Sequence, residues 1–323
     1  MNYNRLICLK RLVIGLALGA FLFTDISYGQ NISINKEITN TYSFEDNTSL
    51  HLVDIGDGGL AVRYKKGVGT PIVFVHGSWD DHHSWEEVAN YVATELKNPI
   101  ILYDRRGHSA STPDKEQGTI SQDVNDALLL IKQLGFEKAH FIGHSYGANI
   151  VVELANQYPA VTESIVLYEP PIFGLLKNNE EYKVVGKEVK DAMASAKEML
   201  EQGDIELGTI HFIEDVAFGK GSWKNIFDDR ARSTMLASYR TWVDQANDPE
   251  RLNIKPAKLK DFTGHITAIK GSESIPVYPG VIDELYKIDN RINVQTVQGA
   301  GHGGLVSHPQ ETANIIVKHF ENL

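Results

Sequence analysis

The pattern of apolar and polar positions changes character twice along the chain. After a polar, weakly patterned stretch at residues 31–48 ("NISINKEITNTYSFEDNT"), which reads as an exposed arm, strand and helix signals alternate. "GLAVRY" alternates as a half-buried strand does, and "TPIVFVHG" is a continuous apolar run ending in glycine, the pattern of a central parallel strand. "SWEEVANYVATELK" opens with a Ser84–Glu87 capping box and places Trp85, Val88, Val92 and Leu96 at helical spacing. "PIILYDRRG" is the next strand. "TISQDVNDALLLIKQLG" then starts on Thr119–Gln122 and lays Val124, Leu128 and Ile131 on one face. "KAHFIGHS", a helix from Ala148 to Tyr158, and "ESIVLYEPP" complete this half.

The rhythm stops after Pro171. Residues 172–260 carry helical patterning, many charges and no buried strand signal; "EEYKVVGKEVKDAMASAKEML" and "DRARSTMLASYRTWVDQA" are the clearest helices. Strand signals resume at "HITAIKG" and "INVQTVQGAGH", and a last helix begins near Ser307-His308-Pro309. Alternating strands and helices imply an α/β fold with a mostly parallel, doubly wound sheet covered on both faces. The predicted organisation is a core from 30–171 and 261–323, with 172–260 inserted as a helical cap.

The first thirty residues do not belong to that globule. Arg5, Lys10 and Arg11 precede the apolar run "LVIGLALGAFLF", and Ser27 and Gly29 supply small residues before Gln30. This is the pattern of a signal peptide over 1–29, which predicts export to the periplasm or exterior. The run is shorter than the roughly 20 residues of a spanning helix, so no stable membrane anchor is expected after cleavage. Cys8 is the only cysteine, which leaves the mature chain without thiol chemistry or a disulfide. Removal of 1–29 leaves 28 basic and 41 acidic side chains, net −13. With no basic stripe, a nucleic-acid partner is not expected.

The sharpest motif is Gly143-His144-Ser145-Tyr146-Gly147, a G-x-S-x-G set between a strand end and a helix start. A chain that reverses this sharply at Ser145 needs small flanking residues. In return its hydroxyl stands exposed at a helix N-terminus, whose positive end favours an oxyanion. His76-Gly77 ends another buried strand, in a turn that can aim the Ser78 N–H at a substrate oxygen beside the Tyr146 N–H. "GAGHGG" puts His302 on a glycine-rich loop after the last strand, from which its ring could reach Ser145 as a base. In "YDRRGHSAS", Asp104 is expected to tie the loop together.

Together the elbow, the His-Gly turn, Asp-Arg-Arg-Gly, the cap position and the terminal Gly-His resemble the α/β-hydrolase superfamily across essentially the whole mature chain. "IVLYEPP" and the helical cap further resemble a bacterial subgroup of small-substrate, esterase-like hydrolases. The resemblance implies Ser145 as nucleophile, His302 as base, an acid between them in the chain, and no cofactor. In most of the family that acid is the Asp of a strand-seven Gly-x-x-Asp, but here Ser274 fills the slot. Glu273 is one residue early, which near a strand end turns a side chain to the opposite side. Glu169, at the end of strand six before Pro170-Pro171, occupies the second location from which the family supplies the acid. It is preferred, with Glu273 the alternative.

Weaker signals are read conservatively. The two Asp and two His of "SWDDHHSW" invite a metal, yet neighbours in sequence do not converge easily on one ion, and no metal is assigned. Trp79 lies on that loop near the substrate entrance. Trp223, Tyr239 and Trp242 could line a pocket, although helical spacing suits cap core as well. Arg105 and Arg106 read as surface salt bridges. The expected activity is hydrolysis of a small-molecule acyl substrate, a small carboxylic ester, through an acyl-enzyme. Amide, carbon–carbon and perhydrolytic chemistry use the same Ser–His pair, and a non-catalytic ligand-binding relative would keep the fold.

Overall fold

The computed structural model describes residues 50–323. The expected signal peptide, the arm at 31–48 and Cys8 lie outside the described residues. Eight strands form one sheet: β1 (His51–Asp54), β2 (Gly59–Lys65), β3 (Ile72–Val75), β4 (Ile100–Tyr103), β5 (Ala139–His144), β6 (Thr162–Tyr168), β7 (Ile266–Gly271) and β8 (Asn293–Val297). Their spatial order is β1-β2-β4-β3-β5-β6-β7-β8. The β1/β2 and β2/β4 pairs are antiparallel and all others parallel. β3, β4 and β5 are buried along their whole length, as their unbroken apolar runs require.

Helices cover both faces. On one side α1 (Glu86–Glu95) and α11 (Pro309–Glu321) close a core around Phe74, Trp85, Leu102 and Ile316. On the other, α2 (Ile120–Gln133), α3 (Tyr146–Gln157) and α9 (Val277–Ile288) close a second core around Val73, Phe141, Ile150 and Val281. Between β6 and β7 the chain is helical, carrying α4 (Lys183–Gln202), α5 (Ile205–Phe212), α6 (Ser222–Asn225), α7 (Asp229–Ala237) and α8 (Tyr239–Asn247). α10 (Gly304–Ser307) precedes α11, whose Pro309 starts the helix where a missing N–H costs nothing.

Four local expectations change. β2 is buried at its first five positions rather than alternating, because Arg63 takes its charge inside by pairing with Glu86. Ser84 does not cap α1: a 3₁₀ turn at His82–Trp85 comes first, and Asp81 caps it by accepting from the His83 N–H. Thr119 does cap α2, accepting from Gln122 N at 3.2 Å. "DRARSTMLASYRTWVDQA" is two helices, interrupted at Ser238, whose hydroxyl donates back to the Thr234 carbonyl at 2.7 Å. Finally, α3 begins at Tyr146, two residues earlier than the pattern indicated.

Candidate active site

The β5–α3 turn is as tight as its glycines imply. Ser145 sits at φ 54°, ψ −123°, a conformation that side-chain-bearing residues avoid. A Cβ on Gly147 would lie 2.3 Å from the Val75 carbonyl oxygen, and one on Gly143 2.5 Å from that of Gly147. Only glycine lets β5, α3 and β3 approach this closely. The Ser145 N–H donates to the Tyr168 carbonyl at 2.9 Å, tying the turn to the end of β6. The N–H groups of Ser78 and Tyr146 donate to no protein acceptor among the described residues.

His302 is buried on the loop after β8, and its Nδ1 lies 2.7 Å from Glu169 Oε2. The other carboxylate oxygen of Glu169 accepts from the Gly271 N–H at 2.8 Å. The structure therefore brings together Glu169 and His302. Glu273 is exposed and makes no bond to the imidazole; only its backbone N–H is engaged, by Ala300. Ser274, in the slot where an aspartate was expected, lies close enough to favour the Glu169 charge but outside hydrogen-bond geometry. Glu169 itself holds φ 46°, so two strained residues face each other at adjacent strand ends.

Further contacts fix the imidazole. Tyr278 stacks on His302 at 3.9 Å between ring centroids and 25° between planes. The His302 carbonyl is held at 2.8 Å by His144 Nε2, and the Tyr168 hydroxyl donates to Gly301 O at 3.0 Å. A Cβ on Gly304 would fall 2.0 Å from that hydroxyl, so glycine is required for the loop to close on Tyr168. Burial disfavours charge on both members of the pair, pushing the carboxyl up and pulling the imidazole below its ordinary 6.5. His302 is thereby kept a free base at neutral pH.

Two small cavities flank Ser145. One, of about 30 Å³, is lined by Ser78, Trp79, His144, Ser145, Phe218 and His302. The other, of about 20 Å³, is lined by Ser145, Tyr146, Phe173, Trp242, Arg251 and Tyr278. Of the predicted pocket residues, Trp79 and Trp242 line them and stack on each other at 5.5 Å. Trp223 and Tyr239 do not: Trp223 is buried within the helical segment and Tyr239 is half-buried beside α7. Ser78 reaches the helical segment through its hydroxyl, which donates to Gln245 Oε1 at 2.5 Å.

The arginine expectation is corrected. Arg105 and Arg106 are buried, not on the surface. Arg105 pairs with Asp123 at 3.0 Å and donates to Gly77 O, while Arg106 binds Asp126 with two bonds of 2.8 Å. They brace the Gly77 turn and the loop after β4 because each guanidinium meets a carboxylate on α2. Asp104 ties that loop as expected, accepting from the His82 N–H at 2.9 Å and lying 2.6 Å from its Nδ1. Asp81, His82 and His83 do converge, with ligand atoms within 4.8 Å of one another, because the 3₁₀ turn folds neighbours together. Both rings are already engaged by carboxylates, His82 by Asp104 and His83 by Asp81. Tyr278, Gln245 and Arg251 escaped the sequence reading, since a lone residue at a helix start, inside a helix or in a turn has no pattern of its own.

A family model described as the alpha/beta hydrolase family matches residues 72–315. The chain is similar to the mouse sn-1-specific diacylglycerol lipase ABHD11, with 23% identity over 249 residues, covering 74% of this chain and 77% of the lipase. A stretch of 118 residues is 30% identical to the dihydrolipoyllysine-residue acetyltransferase component of the acetoin cleaving system from Cupriavidus necator, covering 36% of this chain and 31% of that protein. Among solved structures, a hydrolase from Pseudomonas aeruginosa superposes with a TM-score of 0.66 at 19% identity, covering 85% of this chain and 99% of its own.

Proposed function

The chain belongs to the alpha/beta hydrolase family, and on that premise we propose that it is an exported serine hydrolase cleaving a small carboxylic ester through Ser145, His302 and Glu169, beneath a helical cap over 172–260. The observation that carries this reading is the 2.7 Å contact between His302 and Glu169, with the strained Ser145 facing the same cavity as the imidazole. Neutral His302 takes the Ser145 proton as Oγ bonds to the ester carbonyl carbon. The carbonyl oxygen becomes an oxyanion, received by the unengaged N–H groups of Ser78 and Tyr146. Glu169 stabilises the imidazolium, which returns the proton to the departing alcohol as the C–O bond breaks. Water, deprotonated by the same imidazole, then cleaves the acyl-enzyme and restores Ser145.

Export is supported by the charged, apolar and small-residue succession of residues 1–29. Among the described residues, no helix is long and apolar enough to cross a membrane. The test of the reading is turnover. The wild type is expected to hydrolyse a chromogenic short-chain ester and to be labelled by a fluorophosphonate probe, with both lost in Ser145→Ala. Ligand binding without turnover or labelling would instead identify a non-catalytic member of the fold.

A further inference from the structure

Arg251 is a half-buried cation in a wall of mixed apolar and polar residues, and it makes no ion pair with a carboxylate among the described residues. It opens a short 3₁₀ turn after α8, and its hydrogen bond runs from Nη1 to the Gln245 carbonyl at 2.9 Å. Asp248 is the carboxylate whose charge reaches it. That side chain is engaged elsewhere, accepting from the Ile120 N–H at 2.7 Å and the Glu250 N–H at 2.9 Å. The buried arginines differ, since Arg63, Arg105 and Arg106 each meet a carboxylate. Arg251 is only partly buried, and desolvation draws its pKa below the ordinary value although the Asp248 charge favours the cation.

Its position gives that charge a use. Arg251 lines the 20 Å³ cavity beside Ser145. With Phe173, Met193 and Trp242 it also lines a groove of about 930 Å³, to which Lys177, Lys183, Lys187, Lys190 and Lys197 add further positive charge. Arg251 thus borders both the space at the serine and the larger groove.

We propose that Arg251 is a specificity-determining residue that receives a carboxylate on the acyl part of the substrate, so that half-esters of dicarboxylic acids are the preferred class. This rests on the serine-hydrolase reading and leaves its bond changes unaltered, with the carboxylate a spectator. A planar guanidinium matches a carboxylate with two parallel hydrogen bonds, and a substrate anion would give Arg251 the direct ion pair it does not make within the described residues. Phe173, Met193 and Trp242 offer apolar surface to the methylenes between the scissile carbonyl and that carboxylate.

The experiment compares kcat/KM for the mono-p-nitrophenyl ester of glutaric acid with that for p-nitrophenyl pentanoate, and the readout is their ratio. The wild type is expected to favour the glutarate ester by about tenfold or more, as desolvated charge pairing allows. In Arg251→Gln the ratio is expected to fall by at least about tenfold, with Arg251→Lys between the two. A wild-type ratio at or below one, or an Arg251→Gln variant that lowers both rates in parallel, overturns the assignment. If Arg251→Gln does not fold, wild-type inhibition by glutarate against its dimethyl ester decides: inhibition by glutarate alone supports the contact, and equal or no inhibition overturns it. Fluorophosphonate labelling of the wild type separates the two levels. An unlabelled protein sinks the parent reading, whereas a labelled one with no carboxylate preference sinks only the role of Arg251.

Discussion

Among the described residues, the non-glycine positions with positive φ are Trp79 at 68°, Ser109 at 42°, Ser145 at 54° and Glu169 at 46°. Three of the four belong to the candidate site, and each such conformation costs on the order of 1–3 kcal/mol that the surrounding fold must outweigh. At Ser145 the outweighing is visible in the glycines that let β3, β5 and α3 close around it. At Glu169 it lies in the ladder bond to Ile269 and in the two contacts of its carboxylate. A carboxylate held this way should matter through its charge. Glu169→Gln preserves shape but cannot support an imidazolium, so kcat on a chromogenic ester is expected to fall by roughly 10²–10⁴-fold with the fold intact by circular dichroism. The exposed Glu273→Gln is expected to leave it unchanged, and the reverse outcome would move the acid to Glu273. Burial also fixes a direction with pH. The proposed reaction needs neutral His302, so activity is expected to be full above the folded-state pKa and lost as pH falls through it. Because burial lowers that pKa, the acid limb of kcat/KM is expected to have its midpoint below 6.5. A midpoint above 7 would mean that the Glu169 charge outweighs desolvation.

At the scale of elements, two sequence patterns that looked alike behave differently. Both Ser84 and Thr119 precede an apolar helical repeat and are followed three residues later by Glu or Gln. Only Thr119 accepts from the backbone of its helix, whereas Ser84 lies inside a 3₁₀ turn and donates to the Asp81 carbonyl at 3.1 Å. Thr119→Ala is therefore expected to cost about 1 kcal/mol of stability. Ser84→Ala removes no helix cap and should cost less, the difference being read from denaturant midpoints at constant slope. The same contrast explains what was legible in the sequence. The strands were plain, because parallel strands covered on both faces become continuous apolar runs that few other elements produce. Ser145 and His302 were plain because tight turns demand glycine at particular offsets. Glu169 was legible only as a choice between two carboxylates, since its partner lies 133 residues away and only the parallel alignment of β6, β7 and β8 brings the two loops to one edge. Arg105 and Arg106 were misread because sequence does not reveal that α2 offers Asp123 and Asp126 to them. Arg251 left no trace, for its significance is the absence of such an offer.

The whole molecule shows how a chain without disulfides is stabilised. Two apolar layers pack against opposite faces of one sheet, and the helical segment is joined to the core by the Trp79–Trp242 stack, the Ser78–Gln245 bond and the Ile120–Asp248 bond. A core of this kind needs no oxidising compartment to hold it, and the proposed cleavage after residue 29 would remove the single cysteine. The export proposal therefore links processing to thiol content, and one experiment reads both. Expressed at full length in a bacterial host that exports proteins, the protein is expected in the periplasmic fraction with a mass beginning at Gln30. A thiol assay in denaturant should find no free thiol there, against one per chain in unprocessed protein. Its melting temperature should be the same with and without reductant. A periplasmic or cytoplasmic product that retains Cys8 and the full mass would remove the export proposal. The hydrolase reading would stand unaffected, because every residue it invokes lies between Ser78 and His302.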